Sequence, residues 1–218
     1  ALAVGYDIDY AVVDLDGVRY MIAESLLGSY SAELGEATVV ETRKGSDFVG
    51  RRYRPLFDYF AETERFDTAE AFQVLGADFV STEDGTGIVH LAPGFGEDDQ
   101  LVANAAGIPT ICPMDEHGRY TAEITDWAGT HVFDANPLVI RVLKERGVVV
   151  RHATYDHSYP HCWRCAQPLV YRAISSWFVQ VTAFRDRMVE LNQDINWQPA
   201  HIKDGSFGKW LENARDWS

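Results

Sequence analysis

The chain has 218 residues, 46% of them hydrophobic and 24% charged, a composition that builds a globular core and excludes a disordered polypeptide. Its formal charge of −14, from 33 acidic and 19 basic side chains, excludes gripping nucleic acid by bulk phosphate neutralisation, which needs a basic face. The acidity is uneven: residues 1–150 hold 26 acidic against 11 basic side chains, and residues 151–218 hold 7 against 8.

The predicted elements run as follows. Tyr10–Asp14 and Arg19–Ile22 are apolar, β-branched runs around Leu15-Asp16-Gly17, a hairpin signal. Glu24–Tyr30 is a short helix, and Thr38–Thr42 a strand closed by a Gly45-Ser46-Asp47 turn. Phe79–Thr82 and Gly87–Leu91 are strands flanking Glu83-Asp84-Gly85. Glu97–Ala106 opens with three acidic residues, which suit the positive end of a helix dipole. Asn136–Arg146 is a helix with an Asn cap, Pro137 in the first turn and Gly147 as stop. A strand over Val148–Tyr155 and a helix over Arg185–Gln193 complete the set. Many short strands with scattered helices predict a β-rich α+β fold, barrel-like with peripheral helices. The boundary is placed before the aromatic, proline-containing Tyr159–Pro168 stretch, giving 1–157 and 158–218.

Cys112, Cys162 and Cys165 do not form a disulfide framework and point to a reducing, cytoplasmic setting. No apolar run approaches the roughly 20 residues of a membrane span. The start lacks both a basic signal-peptide region and an initiator Met, and the chain stops abruptly at RDWS. Both ends read as those of a piece of a longer protein.

Three constellations carry chemistry. The first, Val12-Val13-Asp14-Leu15-Asp16-Gly17-Val18, resembles the opening motif of the haloacid-dehalogenase phosphatases. There the first Asp is nucleophile and the second general acid, beside Mg²⁺, so Asp14 and Asp16 define an alternative function. The competing reading is an acidic hairpin tip, since Asp and Gly suit turns and the next strand leaves no room for a crossover helix.

The second is Gly85-Thr86-Gly87-Ile88-Val89-His90-Leu91-Ala92-Pro93-Gly94-Phe95-Gly96-Glu97-Asp98-Asp99. It is a glycine turn, a buried strand ending in His, a Gly/Pro loop and an acidic helix start. Such junctions let a ligand approach the backbone while polar groups converge. The acids favour an ammonium over a phosphate. The third, Cys162-Trp163-Arg164-Cys165, has the spacing of half a tetrahedral zinc site, with His157 and His161 close in sequence.

The string 85–99 resembles the signature of the editing domain of isoleucyl-tRNA synthetases, shared in outline with the valyl and leucyl enzymes. VFDANPLVIRVLKERG, YPHCWRC, SSWFV and FGKWLENARDW resemble their counterparts in the same order, so the resemblance covers essentially the whole chain. It implies hydrolysis of misacylated valyl-tRNA(Ile), and of valyl-adenylate, as a second sieve. Such a sieve is needed because one methylene gives a synthetic site only about 1–3 kcal/mol of discrimination; isoleucine against valine in the isoleucyl family is a standing example of that limit.

The resemblance implies roles residue by residue. Asp99, nine residues after the His, anchors the ammonium of the misattached valine, with Asp98 beside it. His90 shapes the pocket against isoleucine. Gly85, Thr86, Gly87, Ala92 and Pro93 line the pocket through their backbone. A threonine-rich peptide of the family lies upstream of the matched segment, so the pocket within these residues is expected to be incomplete. The synthetic signatures HIGH and KMSKS are absent here.

The implied organisation is an editing domain over 1–157 and a return segment toward the class I catalytic core over 158–218. Editing itself takes no cofactor. Zinc at Cys162 and Cys165 belongs to the full-length enzyme, and ATP and Mg²⁺ to the absent synthetic site. The implied partners are the 3′ end of aminoacylated tRNA(Ile) and the rest of the synthetase core. The protein is expected to be a monomer, with no membrane partner. Trp177, Phe178, Trp197, Trp210 and Trp217 are read as a docking surface, with Arg185, Arg187, Lys203 and Lys209 as candidate phosphate contacts.

Overall fold

A computed structural model describes residues 1–154 and 156–217, and the chain divides into two compact units, Ala1–Ala173 and Ile174–Ser218. This division lies C-terminal to the 157/158 boundary read from the sequence.

The first unit begins with β1 (Leu2–Val4), β2 (Asp9–Leu15) and β3 (Val18–Ala23). β2 and β3 form the expected hairpin, in the register Leu15↔Val18. Its turn residues, Asp16 and Gly17, have φ of 53° and 84°. Two positive φ angles match the twist of the strands they join, and an Asp-Gly pair tolerates them. The Asp14 carboxylate accepts from the Gly17 N–H at 3.0 Å, which closes the turn.

Glu24–Tyr30 is a 3₁₀ helix running into α1 (Ser31–Leu34). β4 (Thr38–Lys44) pairs antiparallel with β2, with a bulge between Val12 and Val13. The resulting sheet has the order β3-β2-β4. Central β2 buries four consecutive residues, Tyr10 to Val13, whereas edge strand β4 is almost wholly exposed.

After α2 (Thr63–Phe66) come β5 (Val74–Gly76) and β6 (Ile88–His90). They make a second sheet, in the order β5-β1-β6, with β1 parallel to β5 and antiparallel to β6. No strand forms over Phe79–Thr82: Val80 instead closes a turn onto Ala77 through an N–H···O bond of 3.4 Å. The strand that pairs with β1 lies earlier, over Val74–Gly76.

α3 (Glu97–Ala105) and α4 (Val132–Glu145) follow. α4 begins before the expected start at Asn136 and encloses Pro137. Its cap is His131, whose Nδ1 accepts from Phe133 N–H at 3.3 Å. The strand expected over Val148–Tyr155 does not form over 148–154, and Tyr155 lies outside the described residues. Side chains hold that segment instead. The Arg151 guanidinium grips both Glu33 carboxylate oxygens at 2.6 Å and lies over the Tyr30 ring at 3.9 Å.

Two apolar clusters fill the unit. One gathers Tyr10, Val13, Ile22 and Phe48 under the β3-β2-β4 sheet. The other gathers Ala3, Leu75, Leu91, Ala103 and Ile108 between the second sheet and α3. Among the described residues both sheets are open and three-stranded, and no closed barrel is found. Nor, among those residues, is any helix long and apolar enough to cross a membrane.

The second unit holds α5 (Arg185–Asn192) and α6 (Ser206–Glu212). Buried Asn192 organises it, donating to the Lys203 carbonyl and accepting from the Trp197 indole N–H, both at 2.8 Å. Trp197, Phe207 and Trp210 follow one another in ring contact at 4.8 and 5.6 Å.

Candidate functional site

The junction of β6, the following loop and α3 is built from both sheets. Tyr10, fully buried in β2, accepts from the Gly5 N–H at 3.0 Å and donates to the Gly87 carbonyl at 2.5 Å. The Thr86 carbonyl accepts from the Ala23 N–H at 2.9 Å. The turn before β6 is thereby tied to the hairpin. Gly87 has a φ of 73°, and a Cβ there would lie 2.6 Å from that of Ala23, so both backbone angle and packing require glycine. Gly85 is exposed, with a φ of 71°.

His90 ends β6 opposite Leu2. Beyond it the loop turns on the Ala92 carbonyl, which accepts from Phe95 at 2.8 Å and Gly96 at 3.2 Å. Gly94 is buried so tightly that a Cβ would lie 2.4 Å from the Ile111 carbonyl oxygen. α3 then starts without a side-chain N-cap bond from Gly96. Asp99, third residue of the helix, reaches back instead and accepts from the Ala92 N–H at 2.9 Å through Oδ2. The arrangement works like a capping box with a longer reach.

His90 and Asp99 are thus brought into one electrostatic neighbourhood. Desolvation of the ring lowers the His90 pKa, and the Asp99 carboxylate opposes the fall. The residue is exposed, and an imidazole held below its ordinary value is predominantly neutral at neutral pH. Among the described residues only one Asp99 oxygen is hydrogen-bonded. Asp98, one position earlier, is exposed.

A cavity of about 180 Å³ adjoins this loop. Pro93, Gly94, Phe95 and Gln100 form one wall, and Tyr171 and Arg172 another; His90 and Asp99 do not line it. The Ala173 N–H donates to the Gly94 carbonyl at 2.8 Å and joins the two walls. Gln100, Tyr171 and Arg172 escaped the sequence reading. Gln100 adjoins the recognised string, but nothing local signals a wall more than seventy residues away.

Cys162 and Cys165 sit in a tight turn. The Cys162 N–H donates to the Gln167 carbonyl and the Ala166 N–H to the Cys162 carbonyl, both at 2.8 Å. Backbone N–H groups of Cys165 and Arg164 point at the Cys162 sulfur and hold its thiol below the usual range. Among the described residues no group of three or more His, Cys, Asp or Glu side chains is placed to hold a metal ion. Asp14 and Asp16 remain a strand end and a turn, as a hairpin tip requires, and nothing supports the phosphatase alternative.

The architecture is shared with a solved structure described as the crystal structure of GlLeuRS-CP1, at a TM-score of 0.51 and 17% identity, over 71% of this chain and 78% of that one. The model of the class I tRNA synthetases for I, L, M and V matches residues 8–218, and the chain belongs to that family. Among curated relatives, the isoleucine–tRNA ligase of Mycobacterium tuberculosis H37Rv is 53% identical over 227 residues, covering 100% of this chain and 21% of the relative. Those of Mycobacterium leprae and Rickettsia felis are 52% and 53% identical, covering all of this chain and 21% and 20% of themselves. The chain spans about a fifth of the length of the curated relatives it matches.

Proposed function

We propose that the chain is the editing domain of a monomeric isoleucine–tRNA ligase, hydrolysing valyl-tRNA(Ile) and valyl-adenylate in the cytoplasm. The observation that carries the reading is the placement of His90 and Asp99 at the two ends of one loop, close enough to act on each other electrostatically. Asp99 spends one oxygen on the Ala92 N–H and keeps the other for the substrate ammonium. Neutral His90 limits the room beside it, admitting valine and rejecting the additional methylene of isoleucine. The backbone of Gly85, Thr86, Gly87, Ala92 and Pro93 completes the wall, with Asp98 adding negative charge. A water made reactive by position attacks the activated ester.

Residues 1–157 carry this activity, and residues 158–218 lead toward the catalytic core that holds the tRNA body and uses ATP and Mg²⁺. The domain then meets only the aminoacylated 3′ end, which suits its acidity. Cys162 and Cys165 would take zinc only with further ligands from the larger protein.

The test is deacylation of valyl- and isoleucyl-tRNA(Ile) by the full-length ligase carrying this chain. Asp99→Asn is the informative change, because its amide oxygen can still accept from Ala92 while the charge is gone. It should slow valyl-tRNA(Ile) hydrolysis roughly ten- to hundredfold, the range of a lost charged hydrogen bond. Hydrolysis at the parent rate would falsify the anchor role. His90→Ala should admit isoleucyl-tRNA(Ile), and a variant that leaves that ester intact removes the gate.

A further inference from the structure

Gly96, the residue before α3, has a φ of −135° and a ψ of 135°, an extended conformation open to every residue. Helix capping does not ask for glycine there either. A Ser, Thr or Asp at this position would supply the side-chain N-cap bond that α3 lacks. What the position excludes is a Cβ. One built on Gly96 would lie 2.8 Å from Oδ2 of Asp99 and 3.1 Å from its Cγ, and its three nearest neighbours are all atoms of that side chain. The oxygen it would meet is the one that accepts from the Ala92 N–H.

The loop is the stiffer side of that contact. The Gly96 N–H donates to the Ala92 carbonyl at 3.2 Å, and the Gly96 carbonyl accepts from the Gln100 N–H at 3.0 Å. Gly94, two residues earlier, is packed against the Ile111 carbonyl and accepts from the Ala173 N–H at 2.8 Å. The Asp99 carboxylate is the free end of a short side chain, so a methyl at 96 would turn it out of its seat rather than move backbone. Gly94 and Gly96 therefore differ in kind. A Cβ at 94 meets backbone, whereas a Cβ at 96 meets the side chain proposed to anchor the substrate ammonium.

We propose that Gly96 is a positioning residue for the hydrolysis: its missing side chain leaves open the seat in which Asp99 binds Ala92 and faces the ammonium. Gly96 acts on the reaction through Asp99 alone. The inference rests on the editing reading for the reaction and on the contact geometry for the seat.

A double-mutant cycle in the full-length ligase tests it, with Gly96→Ala, Asp99→Ala and the two together. Gly96→Ala should slow valyl-tRNA(Ile) hydrolysis about tenfold or more, the loss expected when a charged contact is displaced. In the Asp99→Ala background, where the obstructed carboxylate is gone, the same change should alter the rate by less than about twofold. The thermal midpoint of Gly96→Ala should stay within about 3 °C of the parent, because only a side chain moves. Amide hydrogen exchange at Ala92, read by NMR on the chain, should quicken about tenfold or more in Gly96→Ala and Asp99→Ala alike, since both take away its acceptor. The proposal is overturned if Gly96→Ala hydrolyses the ester at the parent rate, if it costs as much in the Asp99→Ala background as in the parent, or if Ala92 exchange is unchanged. A parent ligase that leaves valyl-tRNA(Ile) intact instead overturns the editing reading, and Ala92 exchange then decides the seat by itself.

Discussion

Between residues 85 and 99, tight glycines face partners from elsewhere in the unit: Gly87 meets Ala23, and Gly94 meets the Ile111 carbonyl. Carbonyls of the same stretch are held by Tyr10 and Ala23. Between residues 159 and 169 the turn is closed by its own short-range bonds, Cys162 to Gln167 and Leu169 to Pro160. Trp163 there is 86% exposed, and its two thiols gather no further metal ligands among the described residues. The first region takes its shape from the whole unit and holds a constellation in register. The second is shaped locally and presents side chains outward. Substitutions in the first should therefore damage the fold, and substitutions in the second should leave it standing.

The largest effect should come from Gly94→Ala. A methyl placed 2.4 Å from the Ile111 backbone oxygen cannot be accommodated by side-chain movement, so the loop must shift. We expect a loss of about 3 kcal/mol or more, seen as a fall of roughly 6–12 °C in the thermal midpoint by circular dichroism. Trp163→Ala, though it removes a whole indole, should stay within about 0.5 kcal/mol of the parent, because its ring is already in water. Equal losses for the two would break the contrast between the regions.

Tyr10→Phe should rank next. Only the hydroxyl is lost, yet it serves the Gly5 N–H and the Gly87 carbonyl together. Leaving both without their partner costs about 1–3 kcal/mol in urea unfolding. A variant as stable as the parent would mean that the hairpin does not hold the turn before β6.

What could be read in the sequence follows the same division between local and distant causes. The β2–β3 hairpin was legible because Asp16-Gly17 dictates it within four residues, and α3 because three acids suit its positive end. β1 and β5 were missed: three-residue strands become strands by pairing across some seventy residues. The start of α4 was misplaced because Asn136 and Pro137 imitate a helix opening, while the working cap is a His imidazole. At the site, His90 and Asp99 were legible as members of one ordered string. The bond from Asp99 to Ala92 was not, because a helix-start acid is satisfied equally well by solvent and dipole.

Acidification probes the first region more gently. Desolvation holds His90 below its ordinary pKa, so as pH falls through about 6.5 the unfolded chain takes up this proton before the folded one. The stability carried by the neutral ring is therefore complete above that pH and declines below it, until the folded ring protonates too. Urea midpoints at about pH 7 and about pH 5.5 should differ less in His90→Asn than in the parent. Because the ring is partly solvated, the difference should be small, and an identical pH dependence in the two proteins would assign the decline to other groups.

The smallest effect is expected at the cysteines. The turn around them is held by backbone bonds among residues 160 to 169, none of which needs a sulfur atom. What the Cys162 sulfur does receive, the N–H groups of Cys165 and Arg164, a serine oxygen can also receive. Two thiolates alone bind zinc far more weakly than a complete tetrahedral set, so metal should not be part of this unit's folding free energy. Cys162→Ser with Cys165→Ser should shift the thermal midpoint of the purified chain by no more than about 1–2 °C, as should dialysis against a chelator. A midpoint that falls by much more on chelation, with about one equivalent of zinc released, would show that ligands beyond the two cysteines complete a site within the chain. The outward-facing region would then be a folded metal centre, and its independence from the rest of the unit would have to be given up.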